Sequence, residues 1–235
     1  MDNTELLFPV KNALTSFAYP LLAVFAYLVI LVVVAEVLSR LIVDDPELTR
    51  KVVHIGSGNV ILLAWWLNIS AQIIISAAII AAAIAIISYL IPILPSIESV
   101  GRKSFGTLFY AISIGVLAAC FWQNVPQYTV IGILIMAWGD GMAAIIGQRF
   151  GRHIYQIKGI SKSWEGSLAM TTAAFIVTQL VLLSVLDNSW QIWLISFVVA
   201  IVATALEAFS ILGIDNLTVP LGSGFLVFLC VQALS

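Results

Sequence analysis

In a chain that is 62% hydrophobic and only 9% charged, the stretch DGMAAIIGQRFG, residues 140–151, sets a carboxylate into an apolar run and follows it with small residues. Ala143, Ala144, Gly147 and Gly151 lie three, four, seven and eleven positions beyond Asp140, which on a helix makes one almost bare face. Such a face admits a close neighbour, and ordinary small-residue helix packing accounts for it as readily as a ligand does. The segment that follows adds charge: Arg149, Arg152, His153, Lys158 and Lys162 are concentrated together and close in KSWEGS, residues 162–167. Topology signalling alone explains the sign of that segment, but not Glu165 or the glycine beside it. Cations next to a deep carboxylate suit a polyphosphate with a divalent metal. Lys or Arg meets phosphate oxygens, carboxylates meet Mg²⁺, and backbone N–H groups at a helix start complete the cradle. Ser163 or Ser161 is placed to cap the next helix, and Gly166 lets its first turn approach a phosphate, with Ser167 following.

Two other clusters carry polar chemistry. In TRKVVHIGSG, residues 49–58, Arg50, Lys51 and His54 share a helical face by three- and four-residue spacing, and read as substrate contacts. In EAFSILGIDNLTVP, residues 207–220, Glu207 ends one apolar run, Asp215 and Asn216 occupy the turn, and Pro220 opens the next. Glu207 and Asp215 can add metal oxygens or a base. No Walker A motif, kinase catalytic loop, zinc-type His or Cys spacing or Gly-x-Ser-x-Gly is present.

The elements that must position these groups are membrane helices. Mean hydropathy is +1.11, and apolar runs long enough to cross a hydrocarbon core about 30 Å thick recur along the chain. The expected fold is an all-α polytopic membrane bundle forming a single domain over residues 1–235, with motifs confined to 49–220. Eight spans are read at 17–38, 52–67, 71–91, 104–122, 128–147, 166–186, 190–210 and 217–233. The second and eighth are shortest, so seven spans with one re-entrant segment is the other count. Cys120 and Cys230 read as small apolar residues rather than a bridge. The first span has neither a basic n-region nor a cleavage site, so it is expected to be retained.

Nine of the ten Lys and Arg residues (Arg40, Arg50, Lys51, Arg102, Lys103, Arg149, Arg152, Lys158 and Lys162) fall in alternate loops, which the positive-inside rule assigns to the cytoplasm. Lys11 precedes the first span. Trp65, Trp66, Trp122, Tyr128, Trp190 and Trp193 fall at the opposite ends, as an interfacial belt does. The acids Glu36, Asp44, Asp45, Glu47, Glu98, Asp140, Glu165, Glu207 and Asp215 gather on the cytoplasmic side. Asp140 lies about 10 Å inside its helix end at 1.5 Å per residue, too deep to snorkel. An ionised group there costs on the order of 3 kcal/mol unless a cavity or cation compensates it.

Taken together, Arg50-Lys51-x-x-His54, Gly139-Asp140-x-x-Ala143-x-x-x-Gly147-x-x-x-Gly151, Lys162-Ser163-x-Glu165-Gly166-Ser167, and Glu207 with Asp215-Asn216 and Pro220 resemble the polyprenol kinase family, which includes dolichol kinases and the shorter phytol kinases. The compact length is more similar to the phytol kinase-like members. The resemblance implies transfer of the γ-phosphoryl group of CTP, with UTP sometimes used, to an isoprenoid alcohol such as phytol, geranylgeraniol, farnesol or a polyprenol. It implies nucleotide binding at Asp140, Gly147, Gly151, Lys162, Glu165 and Gly166. The charge pattern adds Arg149, Arg152, Ser163 and Ser167 as expected nucleotide contacts, and Asp140 with Glu207 or Asp215 as expected Mg²⁺ ligands. Asp215 is the favoured proton acceptor, with Arg50, Lys51 and His54 orienting the alcohol or the phosphates. No nucleic acid is expected as partner. The site is expected to face the cytoplasm from a bacterial inner or thylakoid membrane. A CTP-dependent cytidylyltransferase is the enzymatic alternative. A small secondary transporter is the other, though no repeat and no midplane cluster favour it.

Overall fold

The computed structural model describes residues 3–41, 46–90, 105–157 and 159–234. Asp44, Asp45, Glu98, Arg102, Lys103 and Lys158 lie outside the described residues, as does the side chain of Lys11. The helices are α1 (Asn3–Leu41), α2 (Pro46–Gly58), α3 (Val60–Trp66), α4 (Ala71–Leu90), α5 (Gly106–Trp122), α6 (Gln127–Phe150), α7 (Trp164–Leu183), α8 (Trp190–Ala208) and α9 (Asp215–Leu234). A two-stranded hairpin, β1 (Ile154–Ile157) and β2 (Ile160–Ser163), stands between α6 and α7. This is an all-α membrane bundle. Six of these helices are long and apolar enough to cross a bilayer: α1 through Ala18–Leu38, α4, α6, α7, α8 and α9. α5 is apolar but shorter.

The expected second span is not one helix. Asn59 interrupts it, ending α2 and starting α3, and accepts a hydrogen bond at Oδ1 from Trp138 Nε1 at 2.8 Å. α2 begins with Pro46 and carries the polar residues Glu47, Arg50, Lys51 and His54, so it enters the bundle as an amphipathic arm. Tyr27 of α1 donates to the Gly56 carbonyl at 2.8 Å and so holds that arm. The eighth expected span, by contrast, forms a full helix.

α6 is the axis of the bundle: 56% of its apolar window is buried, against 6% for α1 and 11% for α4, which face lipid. Val130, Ile131, Ile133, Ile135 and Met136 are fully enclosed. The helix widens into a π-helical segment over Ile135–Asp140, a local underwinding of a kind that recurs at functional sites. Glycines flank Asp140. A methyl group on Gly139 would lie 2.3 Å from Met170 Sδ, and one on Gly141 would lie 2.5 Å from Ile55 Cγ1. Bare backbone at both positions therefore lets α7 and α2 close on the carboxylate.

Pro220 lies inside α9 and cannot donate to the carbonyl four residues back. That carbonyl, of Asn216, accepts instead from Ser113 Oγ at 2.8 Å, which fastens the start of α9 to α5. The hairpin corrects the expectation of a cationic loop. Its register pairs Ile154 with Ser163, Tyr155 with Lys162, Gln156 with Ser161 and Ile157 with Ile160, and Gly159 turns it at φ +80°. Cys120 and Cys230 are both free.

Candidate active site

At the end of the bundle where α6 meets the hairpin lies a cavity of about 250 Å³. α6 lines it with Asp140, Ala143, Ala144, Gly147 and Gln148, and the hairpin with Ile154, Ser161, Lys162 and Ser163. α7 adds Gly166 and Ser167, and α8 adds Glu207. The bare face seen from Asp140 to Gly147 is one wall of this cavity. It is also a helix contact: a methyl group on Gly166 would stand 2.8 Å from the Ala143 carbonyl oxygen and 3.3 Å from Gly147 Cα. Gly166→Ala is therefore expected to force backbone apart and to cost about 1–3 kcal/mol. Gly147→Ala, which meets first the Ser163 hydroxyl at 3.1 Å, is expected to cost less. Thermal unfolding of the two variants in detergent checks that order.

Two ion pairs set the electrostatics. Lys51 Nζ donates to Asp140 Oδ2 at 2.6 Å, and His54 Nε2 lies 3.7 Å from the same oxygen. Lys51 keeps 11% and Asp140 15% of side-chain surface exposed, so the pair is largely withdrawn from water. The depth problem of Asp140 is thus answered by a lysine 89 residues earlier in the chain. Lys162 Nζ donates to Glu207 Oε1 at 2.5 Å and to the Glu207 backbone carbonyl. That carbonyl belongs to the last turn of α8, where unpaired acceptors and the negative end of the helix favour a cation.

The remaining expected residues divide. Ser163 caps α7, accepting from the Gly166 N–H at 3.1 Å, so that N–H is already occupied. Gly151 packs its backbone on Ser163, whose Cβ would lie 2.9 Å from an added methyl. Ser167 lines the cavity and exchanges a hydrogen bond of 2.6 Å with Tyr155 OH, a partner that the sequence reading missed. Glu165 does not face the cavity. It meets His153 Nδ1 at 2.7 Å and accepts from the His153 N–H at 3.3 Å, pinning the foot of the hairpin to α7. Arg50 also turns away, into an exposed pair with Glu47 at 2.6 Å, so only Lys51 and His54 of that cluster reach Asp140. Arg149 and Arg152 are exposed and, among the described residues, make no ion pair. Asp215 is absent from the cavity wall, and its carboxylate accepts from the Asn216 N–H at 3.0 Å. It remains within electrostatic range of Asp140, Lys162 and Lys51.

Among the described residues no three His, Cys, Asp or Glu side chains form a ready metal cluster. Mg²⁺ carried by a nucleotide keeps waters and phosphate oxygens, however, and asks the protein for one or two carboxylates. Asp140 and Glu207, both on the cavity wall, meet that smaller demand.

The phytol kinase of Synechocystis sp. is 52% identical over 203 residues, which cover 86% of this chain and 87% of that protein. The chain belongs to the phytol kinase family. Phytol kinase 1, chloroplastic, of Arabidopsis thaliana is 31% identical over 216 residues, covering 82% of this chain and 69% of its own length. Probable phytol kinase 2, chloroplastic, of Oryza sativa is 32% identical over 215 residues, with 82% and 70% covered. No family model matches the chain, and no solved structure matches it significantly. The alignments extend well beyond the cavity, so membership rests on the whole bundle and not on four short motifs. The expected family and the expected membrane fold both stand.

Proposed function

We propose that the protein phosphorylates an isoprenoid alcohol such as phytol, using the γ-phosphoryl group of CTP or UTP and releasing a lipid monophosphate. The observation that carries the reading is the meeting of Lys162, Glu207 and Asp140 on one cavity wall, with Lys51 bonded behind Asp140, in a chain whose relatives are named phytol kinases. Such a wall offers cations to phosphate oxygens and carboxylates to the metal that accompanies them.

In this reading the polyphosphate lies against Lys162, with Arg149 and Arg152 adding positive potential at the exposed rim. Asp140 and Glu207 would hold Mg²⁺, which supplies neutralisation of charge on the transferring group. Lys51 supplies the counter-charge to Asp140 and aims its carboxylate. Seryl and glycyl contacts from Ser163 to Ser167 shape the floor under the phosphates. The alcohol reaches the bundle sideways from the lipid and presents its hydroxyl near Asp140. There His54 is better placed than Asp215 to take the hydroxyl proton, because Nε2 is close to Asp140 and has no hydrogen-bond partner. Asp215 contributes negative potential to the same region. The cavity opens on the basic, cytoplasmic end of the bundle, where the nucleotide is dissolved.

The test is purified protein in detergent with CTP labelled at the α- or the γ-phosphate, offered phytol, geranylgeraniol, farnesol or longer polyprenols, and repeated with UTP and ATP. Label from the γ-position is expected in the lipid, and none from the α-position. Transfer of α-label with release of pyrophosphate identifies a cytidylyltransferase instead. Absence of any transfer, with movement of a solute across vesicles, identifies a transporter.

A further inference from the structure

α5 supplies no residue to the cavity, yet it brings a tyrosine hydroxyl against α2, with the tyrosine ring beside that of His54. Tyr110 points its hydroxyl into the packing between α5, α2 and α6: a methyl group on Gly58 would lie 3.2 Å from Tyr110 OH and 2.2 Å from Ala137 Cβ. Its ring lies 5.5 Å from the His54 ring, centre to centre, at 45°. Both Tyr110 OH and His54 Nε2 are buried, and neither has a hydrogen-bond partner. Two unpartnered buried polar atoms on touching rings depart from the general rule that such atoms are paired, and they call for an explanation by function.

Their surroundings say which ligand chemistry fits. Neither residue lies on the cavity wall, whereas Asp140 does, and His54 Nε2 is 3.7 Å from Asp140 Oδ2. Asp140 therefore stands between the charged cavity and the contact of His54 with Tyr110. On that side α5 carries no charged residue from Gly106 to Trp122. Ser113, one turn beyond Tyr110, bonds the Asn216 carbonyl and so locks α5 in position beside Asp215. A neutral, apolar wall with one hydroxyl and one imidazole suits a single alcohol group on a lipid chain, and does not suit a polyphosphate.

We propose that Tyr110 and His54 together form the binding site for the hydroxyl of the lipid alcohol, an inference that rests on the kinase reading above. The alcohol oxygen accepts a hydrogen bond from Tyr110 O–H while its own proton points at His54 Nε2. As the oxygen attacks, a bond to the γ-phosphorus forms and the bond from that phosphorus to the β–γ bridging oxygen breaks. The nucleoside diphosphate leaves, and the hydroxyl proton passes to His54 Nε2. Tyr110 stays protonated throughout and stabilises the charge developing on the alcohol oxygen.

Tyr110→Phe, which keeps the ring and removes one oxygen, tests this against wild type in detergent. One hydrogen bond to a reacting oxygen corresponds to a loss of about tenfold in kcat/KM for phytol, with the KM for CTP changed by less than about twofold. Phytol is also expected to raise the unfolding temperature of wild type and to raise that of the variant less, a readout independent of turnover. Unchanged phytol kinetics, or a loss shared equally by CTP, overturns the assignment while leaving the kinase reading intact. Failure of wild type to transfer γ-label to any alcohol overturns both.

Discussion

Asp140→Asn is expected to lower phosphoryl transfer by about two to three orders of magnitude and, in the same variant, to destabilise the fold. The two effects have different origins. Activity falls because the wall loses the carboxylate best placed to face a nucleotide-bound metal. Stability falls because Lys51, 9% exposed as a residue, loses its counter-charge inside the bundle. Breaking a buried pair by removing one partner costs about 3–5 kcal/mol, since the surviving charge is left uncompensated. The double variant Lys51→Met/Asp140→Leu separates the two. It removes both charges, so thermal unfolding in detergent is expected to return toward wild type while turnover stays at the level of the single variant or below. A double variant as unstable as the single one contradicts the pairing, and a single variant with full turnover contradicts the role of Asp140.

Lys162→Met is expected to raise the KM for CTP about tenfold and to lower kcat as well, because the lysine meets charge that grows on the transferring group. Lys162 holds two oxygens of one residue, the Glu207 carboxylate and its backbone carbonyl. A planar guanidinium does not reproduce that geometry, so Lys162→Arg is expected to recover only part of the loss. Alcohol KM is expected to stay near wild type in both variants, which steady-state kinetics with each substrate varied in turn will check. Unchanged constants for CTP exclude Lys162 from the phosphate site.

Much of this was legible in the sequence because the bilayer leaves helices little freedom. A run such as Ala71–Leu90 has no charged residue and reads directly as a helix crossing apolar solvent. The acids and bases of one end were legible for the same reason, since each costs too much to lie elsewhere. What the linear chain concealed was pairing at long range. Lys51 and His54 were read as substrate contacts and Asp140 as a metal ligand, whereas the three converge, and only the packing of α2 on the glycine-flanked π segment of α6 brings them together. Arg50 and Lys51 are adjacent in sequence yet diverge on a helix by about 100°, and the arm was not expected to end at Asn59.

The hairpin was hidden by its charges. Its alternation in IYQI and ISKS and the glycine between them were present, but the basic residues pointed to topology rather than to strand pattern. Glu165 was read as a nucleotide contact from its place beside Gly166, and the structure spends it on His153 instead. Tyr110 gave no signal, since a tyrosine within an apolar span is ordinary until its hydroxyl is found without a partner. The freed Asn216 carbonyl was foreseeable, because Pro220 removes the N–H four residues on.

The central claim is that the nucleotide occupies the cavity between α6 and the hairpin at the cytoplasmic end. Its most direct test is thiol protection at position 148. Gln148→Cys, made after replacing Cys120 and Cys230 by alanine, places a single thiol on the cavity wall. In sealed membrane vesicles a charged maleimide is expected to label that thiol only from the cytoplasmic face. CTP with Mg²⁺ is expected to slow the labelling strongly, and phytol alone is not. Labelling at the same rate with and without nucleotide, in a variant that still transfers phosphate to phytol, would place the nucleotide elsewhere and contradict the account.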